Sequence, residues 1–369
     1  MKVLFHTTSS NNINNAINSL KSVGLVGVQE MHYDQKHIQA VPLVLQKRPD
    51  LLDSVRRGDF REIPELQREA VNCDNEMLIA AKVFKPDLQI YISAWEGAFV
   101  PSMETLGELN SIAPLVHMCF DSSDPPWWPQ MLQFEKRGVF SLTWNIDGGL
   151  LWPGAWTHPP SAISVHGNWQ KIEPFKIKGV TTLTPVDPRY FDGRILPMDF
   201  DARPVSVGYA GNGGGVFRQP LIGALSEEIK SFVNRGYSDS GESYREYIWF
   251  LQNSKVTLST PFTGSGASVH VKGKLCEGGL AGCCVLERRN PAVDYYFYPR
   301  FHYWPYTSIE DCIEQARYLI SRPRLCEEIG ANLKHEIEYR HSAGMIWGQV
   351  FRALGLNVEV RDGELRIAA

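Results

Sequence analysis

The sequence contains no Cys-x-x-Cys pair, no long Lys/Arg block, no long apolar run and no internal repeat of fixed period. Each absence removes a class of protein. The seven cysteines are odd in number and scattered, which argues against a disulfide framework and against a zinc site, and in favour of reduced core thiols. Without a basic block, and with a formal net charge of −4, the chain offers no electrostatic footprint for a duplex, so nucleic acid is not expected as its main partner. No apolar run approaches the 18 or so residues of a membrane span, and any membrane contact is expected to be peripheral. The first residues pass from a short apolar run into Thr7-Thr8-Ser9-Ser10-Asn11-Asn12, without the long apolar region of a signal peptide. A cytoplasmic protein is expected.

What is present is ordinary globular material, 43% hydrophobic and 21% charged, in a 369-residue chain long enough for two domains. The pattern alternates between short apolar runs and helical periodicity. Residues 2–5 predict a buried strand, and Ile13, Ala16, Ile17 and Leu20 follow helical spacing after it. Further strands are predicted at 88–92, 115–120 and 139–144, with a helix at 102–112, and polar loops follow the apolar strands. That rhythm belongs to a parallel sheet with ligands at one rim. Three residues at that rim are candidates for acid or base chemistry: His6, Glu96 and Asp121. Each also has a plain structural reading, as a hydrogen-bonded loop histidine, a solvated loop carboxylate and a turn residue. Asp121 and Asp124 are too weak a pattern to assign a metal, and no metal site is expected. The opening unit lacks the Gly-x-Gly-x-x-Gly fingerprint of a dinucleotide site.

Prolines flank a short acidic segment at 195–204, read as a linker, and a second strand-loop-helix unit starts at 205. Its strand ends in Gly211-Asn212-Gly213-Gly214-Gly215, with Arg218 at the following helix start. Glycines there permit a tight turn with N–H groups facing an anion, and Arg218 is placed to clasp phosphate. The Gly-Lys-Ser/Thr ending of a nucleoside triphosphatase loop is missing from this run. Downstream, Lys272-Gly273-Lys274-Leu275-Cys276-Glu277-Gly278-Gly279 sets paired cations beside a carboxylate ahead of a helix-to-strand transition. The lysines suit a diphosphate and Glu277 suits ribose hydroxyls, while the glycines are expected to let backbone approach the ligand. Ser308 with Asp311 three residues on predicts a capped helix, which Arg322-Pro323 ends. Residues 357–369 alternate weakly around Asp362-Gly363, as a small hairpin or a loose tail.

In order and spacing, four of these segments resemble the carboxyl-terminal domain of GT-B glycosyltransferases. They are Val207-Gly208-Tyr209-Ala210-Gly211-Asn212 with Arg218, then Leu251-Gln252-Asn253-Ser254-Lys255-Val256, then the run from Lys274 to Glu287, and Tyr306-Thr307-Ser308-Ile309-Glu310-Asp311. The likeness is to the family-four-like group that includes the spore-maturation-type proteins. It implies an α/β protein of two Rossmann-like domains facing a cleft. The divisions expected are an acceptor-binding domain at 1–200, a nucleotide-sugar-binding domain at 201–350 and a tail at 351–369. It also implies Glu277 as the ribose carboxylate, Lys274 and Arg218 as diphosphate cations, and Gly211 and Asn212 in the phosphate loop.

The expected activity is metal-independent transfer of a sugar from a nucleotide-diphosphate sugar to an acceptor hydroxyl. No cofactor is expected besides that donor, and the acceptor is a glycan, a lipid-linked group, a protein or a small molecule. A nucleotide-sugar epimerase of the same architecture, and a non-catalytic glycan-binding protein that keeps the fold, are the alternatives.

Overall fold

Two runs of strands, each followed by helices, build two separate parallel sheets. The computed structural model describes residues 1–7, 11–24, 27–32, 35–56, 59–93, 100–120, 133–134, 136–146, 179–191, 199–211, 217–236, 241–262, 270–361 and 363–367.

The first sheet has six parallel strands in the order β2-β1-β3-β4-β5-β6. They are β1 (Val3–Thr7), β2 (Val28–His32), β3 (Leu88–Ser93), β4 (Leu115–Cys119), β5 (Leu142–Asn145) and β6 (Gly179–Thr181). Every residue of β1 and of β4 is buried, as expected of central strands covered on both faces. Alternation sends Val3 and Phe5 to one core and Leu4 to the other. The Asn11–Ser22 helix buries Ala16, Ile17 and Leu20 against Val3 and Phe5, on the predicted stripe. The Met103–Ile112 helix starts where predicted, with the Ser102 hydroxyl accepting from the Thr105 N–H at 3.0 Å. The charged stretch before residue 75 contains the first half of a 21-residue helix, Pro64–Phe84, whose apolar contacts, at Leu66, Ala70, Cys73, Met77 and Ala81, follow helical spacing.

The second sheet has five parallel strands, ordered β11-β10-β9-β7-β8. They are β7 (Val205–Ala210), β8 (Phe232–Arg235), β9 (Ser254–Ser259), β10 (Cys284–Arg288) and β11 (Trp304–Tyr306). The predicted cap forms: the Ser308 hydroxyl accepts from the Asp311 N–H at 3.1 Å, and Asp311 accepts from the Thr307 N–H and hydroxyl. The final residues form an antiparallel hairpin, β12 (Val358–Arg361) with β13 (Glu364–Ile367).

The chain crosses back to the first sheet near its end. The Ala343–Ala353 helix, which the sequence reading assigns to the second domain, packs on the Asn11–Ser22 helix and β6. Its Trp347 is fully buried, with its ring 6.1 Å from Phe5 and 4.7 Å from Trp144, and its indole N–H donates to the Ser19 hydroxyl at 2.9 Å. One continuous apolar cluster therefore runs from β1 to the Gly273–Leu280 helix of the second unit.

The glycines of the central motif serve packing, which corrects the expectation that they bring backbone to the ligand. A Cβ at Gly278 would stand 2.9 Å from Thr257 and Val285, and one at Gly279 would stand 2.4 Å from Ile337 and 2.6 Å from Leu333. Both therefore face inward, towards the sheet and the Pro323–Arg340 helix. At the end of the Gly273–Leu280 helix, the Arg203 guanidinium donates to the carbonyls of Ala281 at 3.0 Å and Gly282 at 3.1 Å. A cation there satisfies carbonyls that the helix leaves unpaired. The linker thus fixes the helix that carries Lys274 and Glu277.

No helix among the described residues is long and apolar enough to cross a membrane.

Candidate active site

A cleft of about 290 Å³ opens where the two sheets present their carboxyl ends, lined from the first half by Asn15, Phe120 and Thr184. From the second half come Gly211, Arg218, Lys274 and Glu277. Four of the five residues predicted to bind the donor thus meet in one cavity. The fifth, Asn212, lies outside the described residues. The halves approach closely here: a Cβ on Gly273 would stand 3.5 Å from Thr184, whose hydroxyl donates to the Ile146 carbonyl at 3.2 Å.

Lys274, on the first turn of the Gly273–Leu280 helix, lays its ammonium 3.9 Å from the centre of the Tyr209 ring. The same ammonium explains Gly211. That residue has φ +147°, and a Cβ there would lie 2.9 Å from Lys274 Nζ and 3.2 Å from the Tyr209 hydroxyl. Arg218 opens the next helix, Arg218–Glu228, beside the Tyr209 hydroxyl. Two cations therefore flank the end of β7.

Glu277 is buried and doubly held. The Tyr244 hydroxyl donates to Oε1 at 2.8 Å and the Tyr247 hydroxyl to Oε2 at 2.7 Å. Both tyrosines come from the Gly241–Gln252 helix, three residues apart and therefore on one face. Burial raises the Glu277 carboxyl above its ordinary range, while the two hydroxyls and Lys274 oppose that rise. A carboxylate has about four acceptor positions. Two are taken by tyrosines, and the other two remain for hydroxyls of a ligand.

Burial also depresses Lys274, to about 7, with Arg218 adding to the fall and Glu277 opposing it. The site is a partly desolvated cation waiting for an anion. The sign of the resulting pH dependence follows. Above pH 7 the free protein gives up the Lys274 proton and has to regain it when a diphosphate arrives, so nucleoside-diphosphate affinity is expected to fall between pH 7 and 9. The limiting slope is about tenfold per pH unit. Lys274→Arg keeps its charge throughout this range and is expected to flatten the slope. Calorimetric titrations at several pH values check it, and a wild-type profile already flat above pH 7 would refute the assignment of Lys274.

The three candidate acids and bases fare differently. His6 does not reach the cleft, which corrects its placement as a rim base. It is fully buried, and its Nε2 lies 2.9 Å from Gln89 Oε1. The Gln89 amide nitrogen donates to the carbonyls of Leu109 at 2.6 Å and Ala113 at 3.2 Å, so its oxygen must face His6, and His6 is the Nε2–H donor. Burial lowers its pKa to about 4. It is a neutral strut between β1 and β3. Glu96 and Asp121 lie outside the described residues.

Sequence reasoning missed Tyr209, Tyr244 and Tyr247. The three-residue spacing of the last two is a signal that puts both on one face of a helix, but only the fold brings that helix over Glu277. No group of three or more His, Cys, Asp or Glu side chains able to hold a metal occurs among the described residues.

Residues 219–351 match a family model described as glycosyl transferase-like. No curated protein matches the chain. Among solved structures, HepE from Anabaena, in complex with UDP and glucose, superimposes with a TM-score of 0.57 at 12% identity, over 96% of this chain and 99% of that one. A glycosyltransferase from Rickettsia africae gives 0.55 at 11% identity, over 96% and 97% of the two chains. Sucrose-phosphate synthase from Thermosynechococcus elongatus gives 0.56 at 10% identity, over 96% and 99%. With two parallel α/β sheets meeting at a cleft, the chain has the GT-B fold, and its carboxyl half carries a glycosyl transferase-like sequence.

Proposed function

We propose that the protein is a GT-B glycosyltransferase of the family-four-like, spore-maturation-type group, which moves a sugar from a nucleoside-diphosphate sugar to an acceptor hydroxyl. The observation that carries this reading is the convergence of Lys274, Arg218, Gly211 and Glu277 on one cleft between two α/β units. Each has a task in that reaction. Glu277 accepts hydrogen bonds from the ribose through the lone pairs its tyrosines leave open. Lys274 and Arg218 lie beside the diphosphate and neutralise the charge it gains as the glycosidic bond breaks. Two fixed cations supply what a divalent ion supplies elsewhere, so the reaction is metal-independent in this reading. The acceptor enters from the first sheet, past Asn15, Phe120 and Thr184. The seven cysteines are buried thiols rather than disulfides, which fits a reducing compartment, and we place the protein in the cytoplasm.

Support comes from the match over residues 219–351 and from solved structures of this fold with UDP or UDP-glucose bound. The test is incubation with a panel of nucleoside-diphosphate sugars and an acceptor library, in EDTA, with mass spectrometry of the products. Transfer that survives EDTA is expected. A donor returned isomerised without transfer would sink the reading in favour of an epimerase, and failure of every nucleoside diphosphate to bind would remove the donor site.

A further inference from the structure

A second and larger cavity, about 680 Å³, lies across the Gly241–Gln252 helix from the donor cleft. The helix serves both: Tyr244 and Tyr247 face Glu277, whereas Arg245, Ile248, Trp249 and Gln252 line the other cavity. The partition between them is Tyr190, whose ring packs edge-on to Tyr244 with centroids 5.0 Å apart, and whose hydroxyl accepts from Asn18 at 3.3 Å. Beside it the Asp187 N–H donates to Asn15 at 3.1 Å. Nothing in the glycosyl-transfer reading uses this second space.

Its chemistry is specific. Three guanidinium groups (Arg189, Arg235, Arg245) stand against two carboxylates (Asp187, Glu246), a lining with one net positive charge. Two of the three are already paired. Arg189 grips Asp187 at 2.7 Å and Arg235 grips Glu246 at 2.6 Å. Arg245 has no carboxylate within ion-pair distance among the described residues, and its guanidinium lies 5.8 Å from the centre of the Tyr190 ring. Four residues along the same helix, Trp249 leaves 53% of its surface in water. An exposed indole wall, an arginine with no carboxylate partner among the described residues, and amides from Asn18 and Gln252 are what a ring with apolar C–H faces, hydroxyls and a negative charge would recognise. A flat base would want a slot between two ring planes. A bare phosphate would use the arginine but leave the indole wall without a role.

We propose that this cavity is a second ligand site, for an acidic saccharide held by Trp249 and Arg245. It stands independently of the donor cleft and would remain if that cleft were assigned otherwise. The experiment is calorimetric titration of the full chain with tetrasaccharides prepared from hyaluronan, alginate and polygalacturonate, and with neutral chitotetraose. At least one acidic tetrasaccharide is expected to bind tenfold or more tighter than the neutral one, less tightly at high salt. Trp249→Ala is expected to weaken that binding at least tenfold. Arg245→Gln, on an exposed helix face where folding is not at stake, is expected to abolish the preference for the acidic ligand. Both variants should keep wild-type affinity for nucleoside diphosphates. Binding that neither variant changes, displacement by pyrophosphate at equal strength, or no binding by any of the tetrasaccharides would each overturn the proposal. An increase in mass of the bound saccharide on addition of donor would make it the acceptor, and binding without that increase would make it an effector; both keep the site.

Discussion

Replacing Glu277 with alanine is expected to weaken nucleoside-diphosphate binding about 100-fold, because two hydrogen bonds from ribose hydroxyls to a buried carboxylate are worth roughly 3 kcal/mol together. A 2′-deoxynucleoside diphosphate separates this from general damage. It should bind the wild type about tenfold less well than its ribose counterpart, and the variant equally well. The variant also leaves the Tyr244 and Tyr247 hydroxyls without their acceptor, so a second substitution is needed. Glu277→Gln keeps a carbonyl for one of them and should fall between wild type and alanine. Titration of all three proteins with both ligands checks the scheme. An equal ribose preference in wild type and Glu277→Ala would remove Glu277 from the ribose site.

Gly330→Ala is expected to cost about 3 kcal/mol of stability, at the upper end of ordinary overpacking. The reason is what the new methyl meets. It would stand 2.6 Å from the Gly282 carbonyl oxygen, 2.9 Å from the Gly282 carbonyl carbon and 3.0 Å from that of Cys283. All three are backbone atoms of the turn into β10, so no side chain can swing away. The Pro323–Arg340 helix must move outward from that turn, disturbing the carbonyls that Arg203 holds. Nucleotide affinity should therefore fall together with stability. Gly223→Ala is the control: it sits in the Arg218–Glu228 helix with nothing within 4 Å of the added methyl, and should be neutral or slightly stabilising. Urea unfolding of the two variants decides it, and equal midpoints would show that the crossing is looser than its geometry.

The different fates of the sequence expectations have physical causes. Ala16, Ile17 and Leu20, the start of the helix at 102, the Ser308 cap and the strands at β1, β3, β4 and β7 were legible because each rests on local periodicity or on a hydrogen bond between near neighbours. The short edge strands β2, β6, β8 and β11 were not, because three to five residues carry too little pattern and owe their form to the strand beside them. Of the long Pro64–Phe84 helix only the end at 77–84 was legible, because the buried face ahead of it is a thin line of mostly small or single apolar side chains within a charged segment.

At the site, the sequence by itself determined which chemical groups exist and where the chain brings them to a strand end. Lys274 and Glu277 are three residues apart, a helix places them on adjoining positions, and Gly211 and Arg218 follow another strand of the same sheet. Only the tertiary structure decided what surrounds them. It set the Tyr209 ring under Lys274, brought Tyr244 and Tyr247 to Glu277 from 33 and 30 residues away, and turned Gly278 and Gly279 to the core instead of the ligand. It also moved His6 from a presumed rim base to a buried strut. Position along a strand gives the rim but not the direction of a side chain's nearest partner, and burial, which sets charge and reactivity, is a property of the whole packed chain.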